Sequence, residues 1–202
     1  MQMIKISFRH FFNLCFLCSL ITVSSNYVKA NQIEEATIFV KNLGSEIIDI
    51  VEEEKSLDQK RQSFLMLFNT HANINIISRA ALGKPWRKLS DDLKLKFSDA
   101  FMIYLVNKYG QQFDEFSGAE MAVERTVDVG KRGTLVHTRF IMPGTSPISV
   151  KWQVWSKTDD LKLIDIIIED ISMLTMEREE IKNRLSIHNG IINSLIIDLR
   201  RN

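Results

Sequence analysis

The sequence predicts an α+β fold: a four-stranded antiparallel sheet curved against a helical layer, in the shape of a cradle or cone. Three observations carry that expectation. From Asn31 to Tyr109 the apolar residues recur at steps of three and four, the period of a helix. After Gly118 the period falls to two, and the alternating runs are joined by short polar turns. From Thr175 the helical step returns. Segregated helices and strands make an α+β domain, and strands joined by tight turns make an antiparallel meander.

An export signature precedes these elements. Lys5, Arg9 and His10 lead into an apolar run from Phe11 to Val23, broken by Asn13 and Ser19. Val28-Lys29-Ala30 then places small residues around a cleavage point. This is the layout of a secretory signal peptide over residues 1–30, and the run is shorter than the ~20 residues of a membrane span. Cleavage would leave a single domain, 31–202, of 172 residues with 23 basic and 25 acidic side chains, net −2, against +1 for the whole chain. That balance argues against nucleic-acid binding, which calls for a basic face. Cys15 and Cys18 form a C-x-x-C inside the apolar run, so they are expected to leave with the leader. No cysteine stands at the cleavage point to take a lipid anchor. A domain of this size builds its core without disulfides.

The first helix starts at Asn31, a candidate N-cap, and carries Ile33, Ala36, Val40, Leu43, Ile47 and Ile50. Its apolar stripe is narrow, which suggests an outer helix. A second start at Ser56 leads to Leu57, Phe64, Leu65 and Phe68, and the polar run Asn69–Asn73 reads as a break. A short helix with Ile74, Ile77, Ala81 and Leu82 stops at Gly83, with Pro85 just beyond. Ser90-Asp91-Asp92 opens the most aromatic helix, with Phe97, Phe101, Tyr104 and Tyr109. Its wide apolar face implies deep burial.

Four strands follow. Met121–Val129 alternates with Met121, Val123, Val127 and Val129 on one face, and Gly130–Gly133 turns the chain. Thr134–Met142 returns to Pro143-Gly144. Ile148–Trp155 places Ile148, Val150, Trp152 and Val154 on one face, and Ser156–Asp160 supplies the next turn. Leu161–Glu169 begins by alternating and then runs Ile166-Ile167-Ile168, the pattern of a strand covered on both sides. That hairpin has more apolar surface than two strands can hide. The last segment reads as a helix from Thr175, with a cap or kink at Asn189-Gly190 and cations Arg200 and Arg201 at its end.

Chemistry is sparse. His71, His137 and His188 are scattered, without metal-ligand spacing, and neither a phosphate loop nor a nucleophile elbow occurs. Asp165, inside the isoleucine-rich strand, fits a general base whose pKa is raised by desolvation. It fits better a structural carboxylate that finds partners indoors, the plainer reading. His137 reads as structural or exposed. The aromatics of the Ser90–Tyr109 helix fit a plain core or, with Trp152, the wall of a cavity.

The order Ala81-Leu82-Gly83-Lys84-Pro85-Trp86-Arg87, then Phe97-x-x-Ala100-Phe101-x-x-Tyr104-Leu105, then Leu161–Ile166 leading to Glu169-Asp170-Ile171-Ser172-Met173, then Arg178, Asn189-Gly190 and Leu195, resembles the MlaC family, also called the toluene-tolerance auxiliary family. The resemblance runs from about Asn31 to Leu199. Departures are Ala72-Asn73 where the family has Phe-Asp, Asp170 where it has Gly, and Leu161 where it has Trp.

The resemblance implies a periplasmic, non-enzymatic cradle with an apolar cavity and neither metal nor cofactor. The cavity would hold the acyl chains of a glycerophospholipid with its head group near solvent. The carrier would move lipid between an outer-membrane lipoprotein–porin complex and an inner-membrane transporter complex with a substrate-binding ring. On that reading Phe97, Phe101, Tyr104, Val150, Trp152, Val154, Ile166, Ile168 and Met173 form the lipid-binding wall. Ile164, Ile166 and Ile168 are taken as the inward face of their strand, which keeps Asp165 away from the tails. The alternatives are a cone-shaped α+β isomerase or hydratase with Asp165 as base, and an exported interaction module with a filled core.

Overall fold

The computed structural model describes residues 31–155 and 160–201. The expected signal peptide, 1–30, and most of the expected turn at Ser156–Asp160 lie outside the described residues. The chain forms helix α1 (31–52), α2 (Leu57–His71), α3 (Ile74–Leu82) and α4 (Asp91–Gly110), then strands β1 (Glu120–Asp128), β2 (Thr134–Ile141), β3 (Ile148–Trp155), β4 (Lys162–Ile168) and β5 (Ile171–Ser172). Helices α5 (Met173–Ile187) and α6 (Ile192–Arg201) close it. The sheet is an antiparallel meander in the order β1-β2-β3-β4-β5. The α+β arrangement is the expected one, with a fifth, two-residue strand added.

Side-chain chemistry sets the helix boundaries. Ser56 and Gln59 form a reciprocal capping box at the start of α2. Ser90 Oγ accepts from the Leu93 N–H at the start of α4. Asn31 is already helical, and its amide donates to Glu35 rather than capping. The polar stretch Asn69–His71 stays helical, so α2 breaks only at Ala72-Asn73. There the chain touches β4: the Asn73 N–H donates to the Leu163 carbonyl, and Asn73 Oδ1 caps α3 through the Ile76 N–H. Asn in place of the family's Asp keeps that capping oxygen. Asn189 and Gly190 both take positive φ, 54° and 77°, and split the last helical segment into α5 and α6.

The stripe of α1 is narrow, yet Ala36, Val40 and Leu43 are fully buried, so this helix covers the core rather than edging it. Thr37 shares a 2.7 Å hydrogen bond with Thr126 of β1, and Gly44 lies against the Met121 thioether. Helix α4 packs on α2, α3 and α6, and α5 packs on α3 and β4.

Two bulges bend the sheet. In β1 the pairing skips Glu124, so Thr126 takes the inward position opposite Val136 and Val127 turns outward. The expected inward set of Met121, Val123, Val127 and Val129 therefore holds only up to the bulge. In β4 the pairing skips Ile164: Gln153 faces Asp165, but Val154 faces Leu163. An extra residue reverses the alternation and increases the local bend. The inner face of β4 is thus Leu163, Ile166 and Ile168, opposite Val154, Trp152 and Val150. Leu163 joins Ile166 and Ile168 on that face, while Ile164 at the bulge still reaches the cavity, and so does Asp165, which the expectation had kept away from it.

Candidate functional site

The sheet and the helices do not close on one another completely. Between β3–β4, α4, the ends of α1 and α2 and the first turns of α5 lies a cavity of about 220 Å³. Ordinary interiors hold few voids larger than one water. This space is far larger than such a void, it is lined almost wholly by apolar side chains, and it opens partly to solvent.

The wall is almost entirely apolar, and six of the nine expected wall residues line it: Phe101, Val150, Trp152, Ile166, Ile168 and Met173. The other three lie behind it. Phe97 is wedged between Trp86 and Phe101, at ring-centroid distances of 6.3 and 5.6 Å. Tyr104 sits under the cations of Lys108 and Arg184, 5.5 and 4.9 Å from its ring centre. Val154 is fully buried in the sheet's inner layer. The α4 stripe thus belongs partly to core and partly to cavity, and only Phe101 of the expected three reaches the space. Further wall residues include Ile47, Val51, Phe64, Phe68, Met102, Leu105 and Val106 on the helices, Gln112 just beyond α4, Phe140 on β2, and Leu163 and Ile164 on β4. Sequence reasoning missed most of these, which read as ordinary core positions in their own helix or strand.

Polar groups at the wall are mostly committed inside the protein. The Trp152 indole N–H donates to Thr138 Oγ1 at 2.9 Å, and that hydroxyl donates to the Val150 carbonyl. Asp165 is used at both oxygens: Oδ2 accepts from the Ser172 hydroxyl at 2.6 Å, Oδ1 from the Leu174 N–H at 3.0 Å. Ser172 Oγ in turn accepts from the Thr175 N–H, so α5 begins at Met173, two residues before the expected start. Asp165 therefore completes the N-terminal cap of α5, where a carboxylate also meets the favourable end of the helix dipole. These bonds anchor the carboxylate as part of the α5 start, the structural role of the plainer reading. His137 lies on the opposite face of the sheet. Burial and the neighbouring Arg125 and Lys151 hold its imidazole below the ordinary value.

One polar wall residue reads in the sequence, with Glu179 and Glu180, only as an acid near the start of the last helix. Glu177 of α5 is 2 % exposed. Its Oε1 accepts from Lys108 Nζ at 2.7 Å and from the Tyr109 hydroxyl. Burial and the carboxylate beside it push the Tyr109 phenol well above its ordinary range, so it remains a donor. Burial alone would lower the Lys108 pKa, but its bonds to Glu177 and Tyr104 outweigh this and raise it. Glu177 was legible: it stands four residues from Met173 and four from Ile181, on the same helical face. The neighbouring Glu179 and Glu180 disguise it as part of a solvated acidic run. Among the described residues no group of three His, Cys, Asp or Glu side chains could hold a metal ion.

A bent antiparallel sheet and a helical layer around an apolar cavity define a binding protein for an apolar ligand. The sequence settles which kind: residues 41–201 match the MlaC protein family, and the chain belongs to it. This is a family of periplasmic, non-enzymatic phospholipid-binding components of the Mla lipid-transport system. The fold is similar to that of a phospholipid-binding protein from Ralstonia solanacearum, solved in complex with a phospholipid. The two share 15 % identity and a TM-score of 0.71, over 82 % of this chain and 95 % of that one. No curated protein matches the sequence.

Proposed function

We propose that this chain is exported by a signal peptide over residues 1–30 and carries a glycerophospholipid across the periplasm with its acyl chains in the cavity between sheet and helices. The observation that carries this reading is the cavity itself: about 220 Å³, partly open, and walled by aromatic and branched apolar side chains. Acyl chains entering it gain ~25 cal/mol per Å² of apolar surface withdrawn from water. Phe101, Val150, Trp152, Ile166, Ile168 and Met173 are the wall residues we assign to the chains, with Phe97, Tyr104 and Val154 supporting them from behind. The partners we assign are an outer-membrane lipoprotein–porin complex and an inner-membrane transporter complex with a substrate-binding ring. Spontaneous exit of a two-chain lipid into water would be slow, so a carrier needs partners at both ends.

Organic extraction of the purified protein followed by mass spectrometry tests the cargo. Phospholipid near one molecule per chain is the expected result. Trp152→Glu or Phe101→Glu should abolish it while the far-ultraviolet circular dichroism remains that of a folded α+β protein. Unchanged lipid content in both folded variants would overturn the assignment of the wall. The enzymatic alternative is not favoured, because both Asp165 oxygens serve the start of α5.

A further inference from the structure

The cavity has a closed end and an open one, and two elements show the same direction. Along α4 the wall residues step by three and four down one face, from Phe101 and Met102 through Leu105 to Tyr109 and, just past the helix, Gln112. Phe101 and Met102 are buried, Leu105 and Tyr109 are half-buried, and Gln112 is exposed. Across the sheet the inner face runs in rows. Val154 and Leu163 form a buried row, Trp152 pairs with Ile166 in the next, and Val150 pairs with Ile168 in the one after. Ile168 is half-buried, and Ile171, paired with it on β5, is 55 % exposed. The ring of Phe116 lies 6.2 Å from that of Phe140. Phe140 faces Ile148, one inward row beyond Val150 and away from Leu163. The end of α4 and the row of Ile168 therefore meet at one end of the cavity, where its wall becomes exposed.

The polar residues of the wall differ in what they have to give. Asp165 is bonded at both oxygens, and the Tyr109 hydroxyl donates to the buried Glu177. Gln112 meets solvent, and its side-chain amide has no hydrogen-bond partner among the described residues. We propose that a bound phospholipid lies along this axis, its chain ends toward the row of Val154 and Leu163 and its glycerol–phosphate junction at Gln112, whose side-chain N–H donates to a phosphate or ester oxygen there. This rests on the carrier reading and adds an orientation and a contact to it. A lipid gains most when its chains fill the closed apolar end and its charged phosphate stays where water reaches it. The junction between the two then falls where the wall turns from apolar to polar. Phosphate diesters and ester carbonyls accept hydrogen bonds and have none to donate, and the amide supplies the donor.

Orientation is tested by quenching. Residues 31–202 contain no cysteine, so a single introduced one can carry a nitroxide, which quenches a fluorophore only at short range. Glu115→Cys places the label beside Gln112, whose carbonyl accepts from the Glu115 N–H. Asn75→Cys places it on an exposed residue of α3 near the closed row, where the Asn73 N–H meets the Leu163 carbonyl. Each labelled protein is loaded from vesicles of phosphatidylethanolamine that carries a fluorophore on its amine, and is then repurified. Strong quenching from position 115 and little from position 75 is the expected result. Equal quenching, or stronger quenching from position 75, overturns the orientation. The contact is tested by release of phosphatidylcholine to excess acceptor vesicles. Gln112→Leu should release it about three- to tenfold faster than the unaltered protein, the loss of one ordinary hydrogen bond. Gln112→Glu keeps the size, cannot donate and repels a phosphate, so it should release faster still. With diacylglycerol of the same chains, a Gln112→Leu effect that persists places the bond on an ester, and one that vanishes places it on the phosphate. Unchanged release of phosphatidylcholine by both folded variants overturns the contact. A protein that takes up none of these lipids defeats the carrier reading as well, whereas one that loads them and fails these comparisons defeats the proposal alone.

Discussion

Asp165 shows how a single carboxylate can look catalytic in a sequence and be structural in the fold. It interrupts a run of isoleucines, and burial without partners would be costly. The partners arrive from seven and nine residues further along: the Ser172 hydroxyl and the Leu174 N–H. Nothing in the alternation of β4 announces them, because they depend on a turn that returns the chain beside its own strand. That turn is Glu169-Asp170, both at positive φ, 45° and 65°, between the paired residues Ile168 and Ile171. Two-residue hairpins favour this geometry, which Gly enters most easily and Asp tolerates better than most other residues, so Asp170 holds the turn without a Gly. Asp165→Ala should lower the stability by about 1–2 kcal/mol through loss of the cap, read as a lower urea midpoint with an unchanged slope. Bound lipid should remain. A large loss of lipid with stability intact would make Asp165 a lipid contact and contradict its structural role.

At the scale of elements, helix existence and strand order were legible, since both follow from hydrophobic period and from Ser, Gly and Pro at the boundaries. The bulges at Glu124 and Ile164 were not. Each adds one residue to an otherwise regular alternation, and the sequence around them reads as an unbroken strand. Their effect is large all the same: Val127 leaves the inner face and Leu163 joins it. The turn before β2 was readable as Gly130–Gly133, but the tightness of its end is visible only in three dimensions. Gly133 has φ 90°, and a Cβ there would overlap the Val154 carbonyl oxygen across the β2–β3 ladder. A left-handed conformation alone costs a non-glycine residue about 1–2 kcal/mol, and backbone on the neighbouring strand cannot yield as a side chain can. Gly133→Ala should therefore destabilise by more than that figure, with a thermal midpoint several degrees lower. Gly44→Ala, whose Cβ would meet only the flexible Met121 side chain, should be the milder of the two.

For the whole molecule, the cavity sets stability against function. Its apolar wall faces unfilled space, so a larger apolar side chain directed into it should strengthen the unloaded protein while displacing cargo. Ile166 is the position for this test. It lines the cavity, pairs with Trp152 across the β3–β4 ladder, and lies beyond the Ile164 bulge, where the ladder is regular. Ile166→Phe adds a ring where there is room for one. In a filled core the same change would overpack and cost about 1–3 kcal/mol. The two situations predict opposite signs. With an open cavity, the thermal midpoint of delipidated protein rises, and phospholipid recovered per chain falls by half or more. This is the usual trade between a stable interior and a useful one. A lower midpoint with unchanged lipid would show that the space is already filled and that acyl chains lie elsewhere. Sequence reasoning alone cannot choose between these signs, because Phe, Ile and Trp at core spacing read identically whether they meet a neighbouring side chain or a guest.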